Sequence, residues 1–341
     1  MVQHWGWLIA IYLFLGGLGA SAHLFSFLAE KGYLGEAGSL ARIGYYIGSP
    51  LVAMGAGLLI FDLGQGLHKP WLIILMFTNY RSVMTWGIYI LSAFIFVGLA
   101  RAYLAWTKKE SPKILDYAGA FLALSTCMYT GMLLYVVKAI PFWNIPLIPV
   151  LFVVSALSTG LSSISIVAHF TEKGELKEGR ALEAHWLLLL MELIILVAIF
   201  GLASSGGRGP VAQLSANKIL FGSYALPFWI GLIGLGLVVP LFVYTRMIIR
   251  KKKQVRSNMK NVMTEQSEYV PCAQEIENSN VATMLEVPEE NVQEDVAVSS
   301  EHHGATSKAI LLSDGAVIFG GFLLRCLIIF ASLPTWNSML G

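Results

Sequence analysis

EAHWLLLLMELIILVAIFGLA, residues 183–203, decides the fold. After Glu183 its only charged residue is Glu192, and it contains no proline. A helix needs roughly 20 residues, at about 1.5 Å each, to cross a hydrocarbon core of about 30 Å, and this run is that long. Lipid offers no partner to a backbone N–H or C=O, so the run must close its hydrogen bonds within itself as a helix. Similar runs occupy about 4–28, 46–66, 83–105, 113–138, 142–170, 222–249 and 310–332. The expected fold is all-α and integral to the membrane, with eight transmembrane helices in two four-helix-bundle-like halves.

Composition agrees with that class. Of 341 residues, 56% are hydrophobic and 13% charged, about half the charged share of a soluble domain. Ten of the 21 acidic residues fall between Glu265 and Glu301, which leaves the remainder more apolar still. The net charge of +2 gives no reason to expect nucleic acid. Cys127, Cys272 and Cys326 stand far apart, without the spacing of a zinc or iron–sulfur site. The first apolar run opens almost at Met1 with no basic leader, so it reads as a retained helix and not as a cleaved signal.

Lys and Arg set the orientation. With the N-terminus outside, the inner loops collect seventeen of them and the outer loops five, and without the long last loop the ratio is nine to five. Both termini are thus expected on the non-cytoplasmic side. Residues 1–250 hold helices one to seven, and 309–341 hold helix eight and the C-terminus. Between them, 251–308 opens with Lys251-Lys252-Lys253, turns acidic and is nearly devoid of aromatic residues. It reads as a disordered cytoplasmic loop, or as a docking segment for a cytoplasmic partner.

Ionisable groups inside a span are costly and mark function by default. Asp62, Glu192 and Arg325 lie well inside. Counted from the inner helix ends at 1.5 Å per residue, Asp62 and Tyr129 stand roughly 24 Å across and Arg325 roughly 22 Å. Tyr12, eight residues from the outer end of the first run, falls at a similar level, and Glu192 is nearer the middle. An Asp and an Arg at one depth can neutralise each other, while two tyrosines can donate to the oxygens of a quinone. The plainer alternative is that Asp62 and Arg325 pin two helices and the tyrosines belong to an aromatic belt. The small faces at Gly16-Gly17, Gly55-Ala56-Gly57 and Gly320-Gly321 allow close helix packing. On the first helix, beside Tyr12, they would also leave room for a flat ring. His23, His169 and His185 sit at inner helix ends and His4 and His68 at the outer edge, a pattern of solvated ends and not of paired haem ligands.

These motifs resemble the NrfD/PsrC family, the membrane subunits of polysulfide-reductase-like respiratory complexes. The resemblance rests on Tyr12-Leu13-Phe14-Leu15-Gly16-Gly17, Asp62-Leu63, Ser82-Val83-Met84-Thr85-Trp86-Gly87, Tyr129-Thr130-Gly131, and Gly320-Gly321 with Leu324-Arg325. It implies a quinone- or quinol-binding subunit in the cytoplasmic membrane, not catalytic alone and without haem or iron–sulfur cluster of its own. It implies partners on the outer face: a ferredoxin-like four-cluster iron–sulfur subunit, itself joined to a molybdopterin catalytic subunit or a multihaem cytochrome. A menaquinone-type head group would contact Tyr12, Gly16, Asp62, Tyr129 and Arg325. Asp62 would relay protons near the outer face and Glu192 deeper, with proton translocation as a further expectation. Some members carry His where Tyr12 falls, and the 251–308 loop departs from the family pattern. The competing readings are an ion-coupled transporter using Asp62, Glu192 and Arg325, and a passive anchor for a soluble reductase.

Overall fold

In the computed structural model the described residues are 6–34, 40–62, 82–171, 180–205, 209–268 and 290–332. They form helices α1 (Trp7–Glu30), α2 (Leu40–Asp62), α3 (Val83–Trp106), α4 (Lys113–Tyr135), α5 (Leu147–Thr171), α6 (Ala181–Ser204) and the short α7 (Pro210–Leu220). A π-helical segment, Pro227–Val238, continues directly into α8 (Val239–Glu268), and α9 covers Glu290–Ser332.

Seven helices among the described residues, not the expected eight, are both long and apolar enough to cross a membrane. They are α1, α3, α4, α5, α6, Pro227–Ser257 and Lys308–Ala331. The second expected span exists as α2, which is 23 residues long. Its first half, with Gly44, Tyr45, Tyr46, Gly48, Ser49 and Pro50, is the less apolar one. That half is instead shaped for contact. Gly44 and Gly48 lie against the α1 carbonyls of Ala22 and Gly19, and Gly44 N–H donates to Ser26 Oγ at 2.8 Å. Small residues that let backbones touch exchange hydrophobicity for packing.

Two further boundaries differ from the sequence reading. The run expected over 142–170 starts its helix only at Leu147, after Pro146, with Pro149 in the first turn where a missing N–H costs little. The preceding Phe142 and Trp143 are buried, and Trp143 Nε1 donates to the Ile328 carbonyl at 2.8 Å, tying this turn to α9. The segment expected as a disordered loop, 251–308, is helical at both ends, since α8 runs to Glu268 and α9 begins at Glu290; the stretch 269–289 lies outside the described residues. A helix that leaves the apolar zone can continue when its side chains favour helix, as Lys, Arg, Met and Gln do here.

α1 is the axis of the assembly. It packs on α2, α4, α5 and α9, and Ala10, Tyr12, Leu13, Ala20 and Ala22 are fully enclosed. α3, α6 and the Pro227–Val238 segment instead turn Phe96, Leu187, Val197, Trp229 and Ile230 outward. Large apolar side chains on the outside with polar ones inside are the arrangement of a multi-pass helical membrane protein.

Candidate functional site

α1 places Tyr12 and Gly16 one turn apart on the side facing α2 and α4. Tyr12 is fully buried, and its carbonyl lies on Gly55 of α2, where an added Cβ would come within 3.3 Å of it. Gly16 meets the Thr130 methyl of α4 at ordinary contact distance, 3.6 Å from where a Cβ would stand. Tyr129, also on α4 and 5% exposed, adjoins the Tyr12 phenol. Its ring tip rests on Gly87 of α3, so closely that a Cβ there would overlap Tyr129 Cζ and Oη. The Tyr12 hydroxyl, though turned toward Tyr129, makes no hydrogen bond of accepted geometry. Tyr12, Gly16 and Tyr129 thus lie near one another, with the Tyr12 hydroxyl directed at Tyr129.

Arg325 lies on another side of α1. The guanidinium is 0% exposed and reaches Gly17, where an added Cβ would stand 3.1 Å from Nη2. Gly17 is five residues from Tyr12, about 140° around the helix at 3.6 residues per turn. Nη1 donates to the Gly321 carbonyl at 2.6 Å and to Ser155 Oγ at 3.3 Å, while Nε and Nη2 have no hydrogen-bond partner. The Phe14 and Phe152 rings each have their centroid 5.5 Å from the guanidinium carbon. The carboxylate in its field is Glu192 of α6, 2% exposed, which accepts from Ser158 Oγ at 3.0 Å and lies beside Ser155. Asp62, the expected partner of Arg325, ends α2, and its side chain lies outside the described residues. Arg325, Ser155, Glu192 and Ser158 thus form one buried polar chain across α9, α5 and α6.

Two clusters escaped the sequence reading. At the end of α1 where Glu30 lies, Arg101 of α3 is 2.6 Å from Glu30 Oε2 and 2.8 Å from Asp116 Oδ1 of α4. Tyr45 Oη donates to Glu30 at 2.7 Å, Lys31 stands 3.5 Å from Asp116, and the Arg101 guanidinium covers the Tyr45 ring. This knot joins α1, α2, α3 and α4. The only hint was that Glu30, Arg101 and Asp116 all lie near run ends. On the same side, Asp314 of α9 is 1% exposed, accepts from Tyr244 Oη of α8 at 2.6 Å and lies 3.8 Å from His185 Nε2 of α6. Asp314 is only four residues inside the last run, which disguised it as a helix-end charge.

The histidine expectation is corrected here: His23 and His185 are 1% and 4% exposed, not solvated. His23 packs edge-on to Tyr45 and Phe94. Neighbouring helices cover these two positions, whereas His169, near the end of α5, is partly exposed. Among the described residues no three His, Cys, Asp or Glu side chains gather as a metal site. Most glycines serve packing. Gly17, Gly55 and Gly321 each face another helix, and Gly320 meets Gly236.

The chain has recognisable relatives. It matches the family model described as "Polysulphide reductase, NrfD" over residues 2–264. It is 31% identical over 264 residues to a polysulfide reductase polypeptide of Wolinella succinogenes, covering 70% of this chain and 81% of that protein. It is 29% identical over 270 residues to protein NrfD of Escherichia coli, covering 70% of this chain and 83% of that protein. To a selenate reductase component of Mesobacillus selenatarsenatis it is 26% identical over 289 residues, covering 71% of this chain and 66% of that protein. The multi-pass helical fold and this match over most of its length place the chain in the NrfD/PsrC family of membrane proteins.

Proposed function

We propose that this chain is the quinone- or quinol-binding membrane subunit of a respiratory oxidoreductase complex. It exchanges electrons between a menaquinone-type pool in the cytoplasmic membrane and an extracytoplasmic iron–sulfur subunit, which in turn serves a molybdopterin or multihaem catalytic partner. The observation that carries this reading is the pair of buried phenols: the Tyr12 hydroxyl is fully buried and directed at Tyr129, where its contact falls short of good hydrogen-bond geometry. Native interiors rarely leave such a donor unpaired, and a carbonyl-bearing ring is a fitting acceptor. Gly16, one turn along α1, leaves a face without a side chain near it, and Gly87 sets the position of the Tyr129 ring.

A bound quinone would supply two-electron, two-proton chemistry. The chain's own part is to bind and orient it. Tyr12 would donate to one head-group oxygen, and Tyr129, steadied on Gly87, would donate beside it. Asp62, at the end of α2, is proposed to exchange protons near the outer face, and Glu192 deeper in. With α2 counted as a crossing beside the seven apolar helices, both termini and this site face the outside, toward the iron–sulfur partner. The arrangement of the helices in two halves belongs to the same proposal.

The test is purification of the native assembly followed by titration with a menaquinone analogue. Copurification of an iron–sulfur protein and saturable binding, weakened in Tyr129→Phe, are expected. A chain that purifies without such a partner and shows no saturable quinone binding would refute the proposal.

A further inference from the structure

Buried polar atoms normally find partners, in the protein or in ordered water. Among the described residues the orphans are few, and they are not scattered. His23 Nδ1 and Ser49 Oγ lie beside the ion-pair knot, and Arg101 Nε, within it, faces Asp116 Oδ1 at 2.8 Å without good hydrogen-bond geometry. Apart from the Tyr12 hydroxyl the others are His185 Nδ1, Asp314 Oδ2, Ser162 Oγ and Arg325 Nε and Nη2, all on α5, α6 and α9.

Their order along the helices is regular. His185 and Glu192 are seven residues apart on α6, hence on one face and about 10 Å apart in height. Ser162 is four residues below Ser158 on α5, about 6 Å, which puts it between the two levels. Ser155, three residues further, leads to Arg325. Asp314 and Arg325 are eleven residues apart on α9, three turns, and again share a face. Hydrogen bonds fix both ends of this ladder, Tyr244 to Asp314 at 2.6 Å below and Ser158 to Glu192 at 3.0 Å above.

From this geometry we infer that Asp314, His185 and Tyr244 form the inlet of a proton route from the cytoplasmic side, which runs through water held at Ser162 to Glu192 and ends at Arg325. Ser158 and Ser155 bridge the two halves of the route, because a hydroxyl accepts one proton as it donates another. A proton entering from bulk water at the Asp314–His185 pair takes the place of one that Glu192 returns along the same chain to the cytoplasmic side, so each hop leaves the chain as it found it. Chains of Asp, Glu and His inside membrane proteins serve such relays. Arg325 closes the outer end with a fixed positive charge, which hinders a proton from running through unopposed. This deepens the proposed function by assigning the intake for its protons, but it can be tested without quinone.

The measurement is deuterium exchange of the Glu192 carboxyl in the full-length protein, reconstituted in lipid and followed by infrared spectroscopy. The carboxyl band is assigned by its loss in Glu192→Gln. Exchange in the unmodified chain is expected to be rapid, and slowed about tenfold or more in Asp314→Asn. Ser162→Ala and Tyr244→Phe, which hardly change shape, should slow it in the same direction and guard against a misfolded Asp314→Asn. Exchange equal to the unmodified chain in Ser162→Ala and Tyr244→Phe overturns the route, as does the absence of any protonated Glu192 band. Failure of quinone binding would leave this readout untouched, so the two proposals fall separately.

Discussion

The ring of Tyr129 rests directly on Gly87, with its phenolic tip occupying the space that any other residue at 87 would need for a Cβ. α3 and α4 approach closely at that level only because one of them has no side chain there. The position of the second phenol in the proposed quinone site is thus set by a glycine on a different helix.

Gly87→Ala should therefore displace Tyr129 rather than merely crowd it. Overpacking of this kind costs about 1–3 kcal/mol, and the thermal unfolding midpoint in detergent should fall. The double variant Gly87→Ala with Tyr129→Leu removes the clashing tip and should recover much of that loss. Additive effects of the two changes would contradict the contact, since touching residues couple.

Tyr12→Phe deletes a buried hydroxyl whose contact with Tyr129 falls short of good hydrogen-bond geometry. Removing an unsatisfied donor relieves a desolvation penalty of about 1–3 kcal/mol, so stability should stay level or rise. Quinol-dependent turnover of the complex should nevertheless fall, with the activity toward an artificial electron donor unchanged. Parallel loss in both assays would point to defective assembly instead of a lost head-group contact.

How far the sequence could be read follows from what each feature depends on. Spans such as α6 need only length and apolarity, both local properties, and were legible. Tyr12 and Tyr129 were placed at one level because rise per residue converts position into height, and the two phenols do adjoin. Depth says nothing about azimuth, and Arg325 shows the consequence: it shares the outer level with Tyr12 but faces Gly17, Ser155 and Gly321 around the other side of α1. That Gly44, Gly48 and Gly55 of α2 bring its backbone onto α1 could likewise not be read from apolarity. Asp314 was missed for a related reason, since its burial comes from α6 and α8 and not from its place in its own run.

The Arg325–Glu192 relationship should be asymmetric under mutation. Arg325→Met strands the Gly321 carbonyl and the Ser155 hydroxyl that Nη1 serves and removes the positive charge in whose field the Glu192 carboxyl lies, and buried groups left unpaired cost about 1–3 kcal/mol each. Glu192→Gln keeps an acceptor for Ser158 and should cost less. Replacing both should differ from the sum of the two single changes, because groups in one polar chain couple. Chemical or thermal unfolding of the four proteins in one detergent gives the coupling, and a coupling near zero would mean that the two groups do not sense each other.

The ion-pair knot yields the last prediction. Arg101 contacts Glu30 and Asp116 together, at 2.6 and 2.8 Å, and its guanidinium plane also covers Tyr45. A lysine has no planar fork and cannot reproduce both contacts and the stacking. Arg101→Lys should therefore destabilise nearly as much as Arg101→Gln, and in both variants Asp116, which is almost fully buried, keeps only Lys31 and Ser111 as partners. Glu30 is more exposed than Asp116, with 36% of its side chain accessible, so water can replace much of what it loses. Glu30→Gln should accordingly cost less than Asp116→Asn, by an amount that shrinks little with added salt because the buried side of the knot is poorly screened. Unfolding midpoints at low and high ionic strength check both statements, and a large salt dependence for Asp116→Asn would place that carboxylate in water instead of inside the bundle.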